Sequence, residues 1–520
     1  MDASLLTADF DVSNTLAYLD GMTPVKRTVL LICCLAAMLM VLPLSAAPRI
    51  TIQIPEGALK GKTSGRMYLF TSRAGNRPPY TGPNWFSPEP FYGVDITVAP
   101  GESVELDAKT EGFPDSLGEL ANGKYFLQAL FDFDVYHSDH AKGVGNIYSP
   151  VQEVEWSGDN RLQFELSEVI GEFPFEETRF RKQIRLYSPR LSLFYGREII
   201  QKATVVLPSS YYESEATRFP VIYTVTGFGG THETMGRNLS QGGPKAGEGE
   251  VEFIRIYLDG QCKWGHHVYA DSAKNGPRGA ALINELIPEI DRRYRTVSAS
   301  TARFVTGHSS GGWSSLWLQV NYPDVFGGVW STAPDPVDFR DYQEVNLYAK
   351  KPLSLYTNQE GNRRPLARRN GEVMIWYEDF GRMDDGLGRG GQLKSFEAVF
   401  SPLDREGQPL LMWTRDEGRV IPATVKYWVE YDINKLIERR WEAGLKEKLA
   451  GKVNVFMGTV DTFYLEGACE YLKKTMEALG SDAVIELHPD RDHFNLTTPD
   501  LMQRIRREMS AAYLKHHRVE

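Results

Sequence analysis

The chain has 520 residues, 42% of them hydrophobic and 12% aromatic, which is apolar material enough for two or three packed domains and excludes a disordered protein. Its 58 basic and 68 acidic side chains give a formal net charge of −10 and a pI near 5.6, so a nucleic-acid-binding face is not expected. The basic pairs Arg363-Arg364 and Arg368-Arg369 stand among acids and read as a solvated face.

Lys26-Arg27 precede an apolar run over residues 28–44 and then Ser45-Ala46-Ala47, the charged, apolar and small-residue parts of a secretory signal. Residues 1–47 are expected to be a leader, making the protein secreted or periplasmic. An uncleaved membrane anchor is the alternative, and only then is a membrane a partner. Cys33 and Cys34 fall in this leader, leaving Cys262 and Cys469 as either one disulfide or two separate thiols.

Over residues 48–168, short segments of alternating polarity (50–54, 67–70, 94–98, 103–106, 125–130 and 162–166) are separated by Gly, Pro and Asn turns. That period of two predicts an all-β sandwich domain of immunoglobulin type. Its aromatic loop, residues 80–92, is a candidate binding surface, and His137 and His140 read as surface features. After a linker near 172–181, strands at 183–187, 203–207 and 221–226 lead into an alternation: strand 251–258, helix 281–294, strand 303–307, helix 310–322, and strands 328–331, 453–457 and 483–487, with helices near 465–479 and 499–514. Such alternation predicts an α/β domain over 169–520 with a mostly parallel central sheet covered on both faces. The interruption at about 340–450, containing Trp376, Trp413, Trp428 and Trp441, is expected to be a cap-like insertion at the active-site edge.

Gly307-His308-Ser309-Ser310-Gly311 matches G-x-S-x-G directly after one predicted strand and before a helix, the context of a nucleophile elbow. A serine hydroxyl needs a base, a group orienting that base, and donors for the developing oxyanion. Downstream of Ser309, His493 follows the final strand at loop-like spacing and is the candidate base, ahead of His488, His516 and His517. Asp461 follows strand 453–457 and is the candidate acid, with Asp335, Asp338 and Glu466 as rivals. The backbone amide of Ser310 is one candidate oxyanion donor, and Phe228, with Gly229 as alternative, in the turn Gly227-Phe228-Gly229-Gly230 is the other. Trp264, His266, His267 and Asn275 are candidate pocket residues. No metal and no cofactor is expected, since adjacent histidines rarely converge on one ion and a serine triad needs none.

Tyr257-Leu258-Asp259-Gly260, Asn275-Gly276-Pro277, the run Glu285-Leu286-Ile287-Pro288-Glu289-Ile290-Asp291, the elbow itself and Tyr322-Pro323-Asp324-Val325-Phe326-Gly327 together resemble the putative-esterase (esterase D-like) family of α/β-hydrolases. The resemblance runs from about residue 188 to the C-terminus and implies a triad of Ser309, Asp461 and His493. Two departures are visible: Thr226 stands where the family usually has a histidine before the oxyanion glycines, and the insertion before Asp461 is long. The expected function is an exported serine hydrolase that cleaves a carboxylic ester through an acyl-enzyme on Ser309, with a small-molecule or polysaccharide-linked ester as partner. The alternatives are an acyltransferase using the same triad and a non-catalytic glycan-binding protein.

Overall fold

The computed structural model describes residues 47–233 and 243–517. The leader expected at 1–47 therefore lies outside the described residues, Ala47 excepted. Among the described residues no helix is long and apolar enough to cross a membrane.

Eight strands form the central sheet: β1 (Arg181–Tyr187), β2 (Ile200–Val206), β3 (Val221–Val225), β4 (Ile254–Leu258), β5 (Arg303–His308), β6 (Gly328–Thr332), β7 (Val453–Gly458) and β8 (Val484–His488). Their order is β1-β2-β4-β3-β5-β6-β7-β8; β2 is antiparallel to both its neighbours and the rest are parallel. This mixed order, with helices such as α1 (Ser310–Asn321), α4 (Glu466–Ala478) and α5 (Pro499–Leu514) packed around the sheet, is the α/β-hydrolase arrangement. The interior strands are buried on both faces; β6 is buried at every residue, hence its run Gly-Val-Trp-Ser-Thr instead of an alternation. Pairing of Val225 with Gly307 and of Gly307 with Ser331 brings the carboxyl ends of β3, β5 and β6 to one edge, where ligands of open α/β sheets bind.

Residues 49–169 form a three-stranded and a seven-stranded sheet. Ile50, Ile52, Leu106 and Phe164 of the first share one core with Met67, Leu69, Leu127 and Phe131 of the second. The alternate residues of the larger sheet, Tyr68, Phe70, Phe91 and Leu130, belong to the core that continues through the central sheet and the insertion. Both faces are thus covered, which is why Met67-Tyr68-Leu69-Phe70 is apolar throughout. Polar contacts fasten the same face: Tyr68 donates its hydroxyl to Leu387 O at 2.6 Å, Arg66 Nη2 donates to Gly386 O at 2.9 Å, and Lys263 Nζ meets Asp132 Oδ2 at 3.0 Å. The surface role expected for His140 does not hold: it is 8% exposed, donates from Nε2 to Tyr80 O at 2.8 Å and stacks on Phe70.

The insertion carries helices α2 (Tyr377–Gly386) and α3 (Gln392–Phe400) and a hairpin of Pro365–Arg369 with Glu372–Trp376. Its tryptophans 413, 428 and 441 are buried. Cys262 and Cys469 are both free and buried.

The Asp132–Lys263 pair is nearly enclosed, with side chains 4% and 6% exposed. Replacing one partner strands the other charge, so Asp132→Ala is expected to lower unfolding free energy by about 3–5 kcal/mol. Asp132→Leu combined with Lys263→Met should recover most of that loss, and urea denaturation of the three proteins checks it.

Candidate active site

Ser309 sits between β5 and α1 at φ +60° and ψ −129°, a conformation that costs a non-glycine residue about 1–3 kcal/mol. Its amide donates to Thr332 O at 3.1 Å and its carbonyl accepts from Trp313 N at 3.0 Å. The elbow closes only because its flanks lack side chains: a Cβ on Gly307 would lie 2.2 Å from Gly311 O, and one on Gly311 2.2 Å from Val225 O. Ser309 is half-buried and Ser310 is buried in the first turn of α1, where backbone amides have no partner within the helix.

The loops after β7 and β8 form one unit. Val460 N donates to Arg491 O at 3.2 Å, Thr459 N to His488 O at 3.0 Å, and Gly458 is so close to Arg491 that any Cβ would collide with its carbonyl. Across this contact His493 Nδ1 lies 2.8 Å from Asp461 Oδ2; the carboxylate can only accept, so Nδ1 carries the proton and Nε2 faces away from the acid. Asp461 Oδ1 accepts from Phe463 N at 2.8 Å, and Asp461 is fully buried. The His493 ring centroid is 4.7 Å from that of His308, the residue before Ser309. Burial opposes charging of His493, but the Asp461 carboxylate outweighs it and holds the imidazole above its ordinary value. His308, half-buried and beside His493, is pushed down by desolvation to about 4 and donates no charge to the site at neutral pH.

Two of the rival acids have other partners. Asp338 is held by Arg340 and Asn434. Glu466 pairs with Arg368, and burial lifts its carboxyl to about 7. Asp335 is 5% exposed, stands near Ser310, and burial lifts it to about 6. His488 lies at the end of β8 beside Glu486, and His517 Nε2 lies 2.8 Å from the Thr301 hydroxyl at the end of the chain's last described turn.

Gly227 to Gly230 form a turn closed by Gly230 N to Gly227 O at 3.1 Å, with Gly229 at φ +75°, as a type II turn requires at its third residue. A Cβ on Gly227 would stand 3.5 Å from Ser309 Cβ, so the turn lies directly against the elbow. Thr226 Oγ1 donates to Gly230 O at 3.0 Å and His266 Nε2 donates to Thr226 O at 2.8 Å. His266 thus holds the base of the turn and is 1% exposed; burial drives its imidazole down to about 4, keeping it neutral. His267 and Asn275 are buried too, while Trp264 lies under the Lys274 ammonium, 3.8 Å from the ring centroid. Of the four candidate pocket residues, His266 thus supports the turn from behind, while His267 lines a separate cavity with Asp259, Cys262, Tyr269 and Arg278. Three contacts had no signal in the sequence: Arg368 Nε donating to Asp461 O at 3.1 Å, Gln392 Nε2 to Ser310 Oγ at 3.4 Å, and the packing of Phe463 on His493 at 4.9 Å. Among the described residues no cluster of metal-ligating side chains occurs.

Residues 198–379 match the family model described as putative esterase. On that match the chain is a carboxylic ester hydrolase. No curated protein matches the sequence. Among solved structures the chain is similar to a ferulic acid esterase (14% identity, 64% of this chain and 98% of that one, TM-score 0.40). It is also similar to the fluorophosphonate-binding serine hydrolase F of Staphylococcus aureus (13%, 64% and 98%, 0.39) and an S-formylglutathione hydrolase from Agrobacterium tumefaciens (14%, 64% and 98%, 0.36). The family match ends inside the insertion, ahead of both Asp461 and His493.

A base must be neutral to take a proton, so if His493 is that base, ester hydrolysis should fall as pH drops through the His493 value, above the ordinary 6.5. Asp461→Asn removes the chief upward influence. The acid limb of kcat/KM should then shift to lower pH, while kcat falls by roughly 10³- to 10⁴-fold. Parallel pH–rate profiles check both effects; an unmoved limb would assign it to another group.

Proposed function

We propose that the protein is an exported serine esterase in which Ser309 is the nucleophile, His493 the general base and Asp461 the group that orients it. The observation that carries this reading is the buried Asp461–His493 hydrogen bond in loops packed beside a strained elbow at Ser309. His493 takes the Ser309 proton as Oγ bonds to the ester carbonyl carbon. The tetrahedral oxyanion is held by the backbone amide of Ser310 and that of Phe228, with Gly229 as the alternative donor. As the alcohol departs, His493 returns the proton to its oxygen and an acyl-Ser309 remains. Water then attacks, losing its proton to His493, and the acid leaves with Ser309 restored.

Residues 48–168 are read as an immunoglobulin-like β-sandwich domain, 169–520 as the catalytic domain, and 340–450 as its cap. Export rests on the charged, apolar and small-residue succession over 26–47.

An active-site fluorophosphonate should label the protein with one adduct per chain, mapped by peptide mass spectrometry to Ser309. Ser309→Ala should lose the label together with esterase activity, by about 10⁶-fold in kcat. Undiminished labelling of Ser309→Ala would remove Ser309 from the role.

A further inference from the structure

The loop from Pro79 to Pro90 leaves the larger N-terminal sheet and returns with two consecutive aromatic side chains at its far end. It is a fixed element. Tyr80 N donates to Gln128 Oε1 at 3.3 Å, Tyr80 O accepts from buried His140, Phe86 N donates to Asn84 Oδ1 at 2.9 Å, and Pro90 O accepts from Thr71 Oγ1 at 2.7 Å. From this base Trp85 and Phe86, both partly exposed, reach opposite sides of the active site. The Trp85 ring centroid is 5.3 Å from Phe228, in the turn against the elbow, and meets Phe380 of α2 edge-on at 5.4 Å. Phe86 stacks on Phe463 at 6.2 Å and meets Phe494 edge-on at 6.5 Å; Phe463 and Phe494 are themselves 4.9 Å and 5.5 Å from the His493 ring.

The two sides differ chemically. A carbonyl oxygen pointing at the amide of Phe228 puts the acyl part of an ester along the turn that Trp85 covers. The leaving oxygen must lie within reach of His493, which protonates it, so the alcohol part departs past the rings that Phe86 covers. Apolar rings at both places exclude water and favour apolar substituents, whereas a site for acetylated, highly hydroxylated alcohols needs polar groups there.

From this geometry we propose that Trp85 and Phe86 of the N-terminal sheets are specificity-determining residues of the esterase site: Trp85 walls the acyl side and Phe86 the alcohol side, selecting esters apolar on both sides of the carbonyl and bulkier than acetyl on the acyl side. The inference rests on the Ser309–His493 reading above. The N-terminal unit is then part of the catalytic cleft.

The test uses the full-length chain and ratios of kcat/KM, which cancel any loss common to all substrates. For Trp85→Ala the preference for p-nitrophenyl hexanoate over p-nitrophenyl acetate should fall about tenfold or more, while the preference for 1-naphthyl acetate over ethyl acetate stays near wild type. Phe86→Ala should do the reverse. Trp85→Leu and Phe86→Leu keep apolar bulk and serve if the alanine variants do not fold; they should shift the same ratios in the same direction by less. Tyr68→Phe, which loses only the bond to Leu387 O, should leave both ratios unchanged. Fluorophosphonate labelling of all variants reports the nucleophile separately, so a protein that labels normally and keeps both ratios overturns this proposal without touching the first. A uniform fall on all four substrates, with a lowered melting temperature, would likewise overturn it and reduce the two rings to packing between the sheets.

Discussion

The positive φ of Ser309 is the constraint on which the rest of the site depends. Strain of this kind persists only where the surroundings over-determine it, and here they do so through missing atoms. Gly307, Gly311 and Gly312 leave room for the carbonyls of Gly311, Val225 and Thr332, so α1 starts against the ends of three strands at once. Its opening Ser-Gly-Gly-Trp-Ser-Ser is a poor helix by propensity, each glycine costing about 1 kcal/mol relative to alanine. Burial along nearly the whole of α1 outweighs that cost, and the result is a buried first turn directly after Ser309.

Electrostatics then separates histidines that composition cannot. His266, His267 and His493 are buried and His308 is half-buried, and desolvation alone drives an imidazole toward neutrality. Of these four only His493 has a buried carboxylate on its Nδ1, and only there is the protonated form favoured overall. Transient positive charge is therefore stabilised at one ring, while His308, in contact with it, stays neutral and adds no repulsion. A second buried carboxyl, Asp335, lies near the same region, but with its own affinity for protons raised to about 6 by burial it is a weaker counter-ion than Asp461 as pH falls.

What was legible in the sequence follows the same division between local and long-range physics. The eight strands of the central sheet begin and end within about three residues of their apolar, β-branched runs, because two-sided burial leaves a strong local signature. Chain order was enough to propose Asp461 and His493, since each follows a strand that must end at the same sheet edge. The contact itself lies beyond any local pattern: Asp461 and its rival Asp335 both follow a strand, and the packing of the β7 loop on the β8 loop is what puts the Asp461 carboxylate on His493 Nδ1. The same limit explains His266, which stands after a strand as a pocket residue would, yet spends its proton on the carbonyl of Thr226. His140 looked like a surface residue because nothing nearby in sequence reveals that its sheet is covered on both sides.

The insertion raises the question of why the proposed acid, Asp461, tolerates so much chain between β6 and β7. Long surface elaborations cost little in loop entropy, so length alone is no obstacle. The acid loop, however, does not ignore the insertion. Arg368 N donates to Thr462 O at 2.8 Å, and the Arg368 guanidinium donates to Asp461 O while pairing with Glu466. The hairpin thus binds the carbonyls of Asp461 and of the residue after it, and supplies a cation that offsets a raised Glu466 carboxyl one turn away. Excising the hairpin would leave the carbonyls of Asp461 and Thr462 without these donors in a buried setting, and a half-buried Glu466 without its counter-charge. The insertion is therefore a wall on which Asp461 is mounted, and its sequence is constrained by the loop after β7 as well as by its own core of tryptophans.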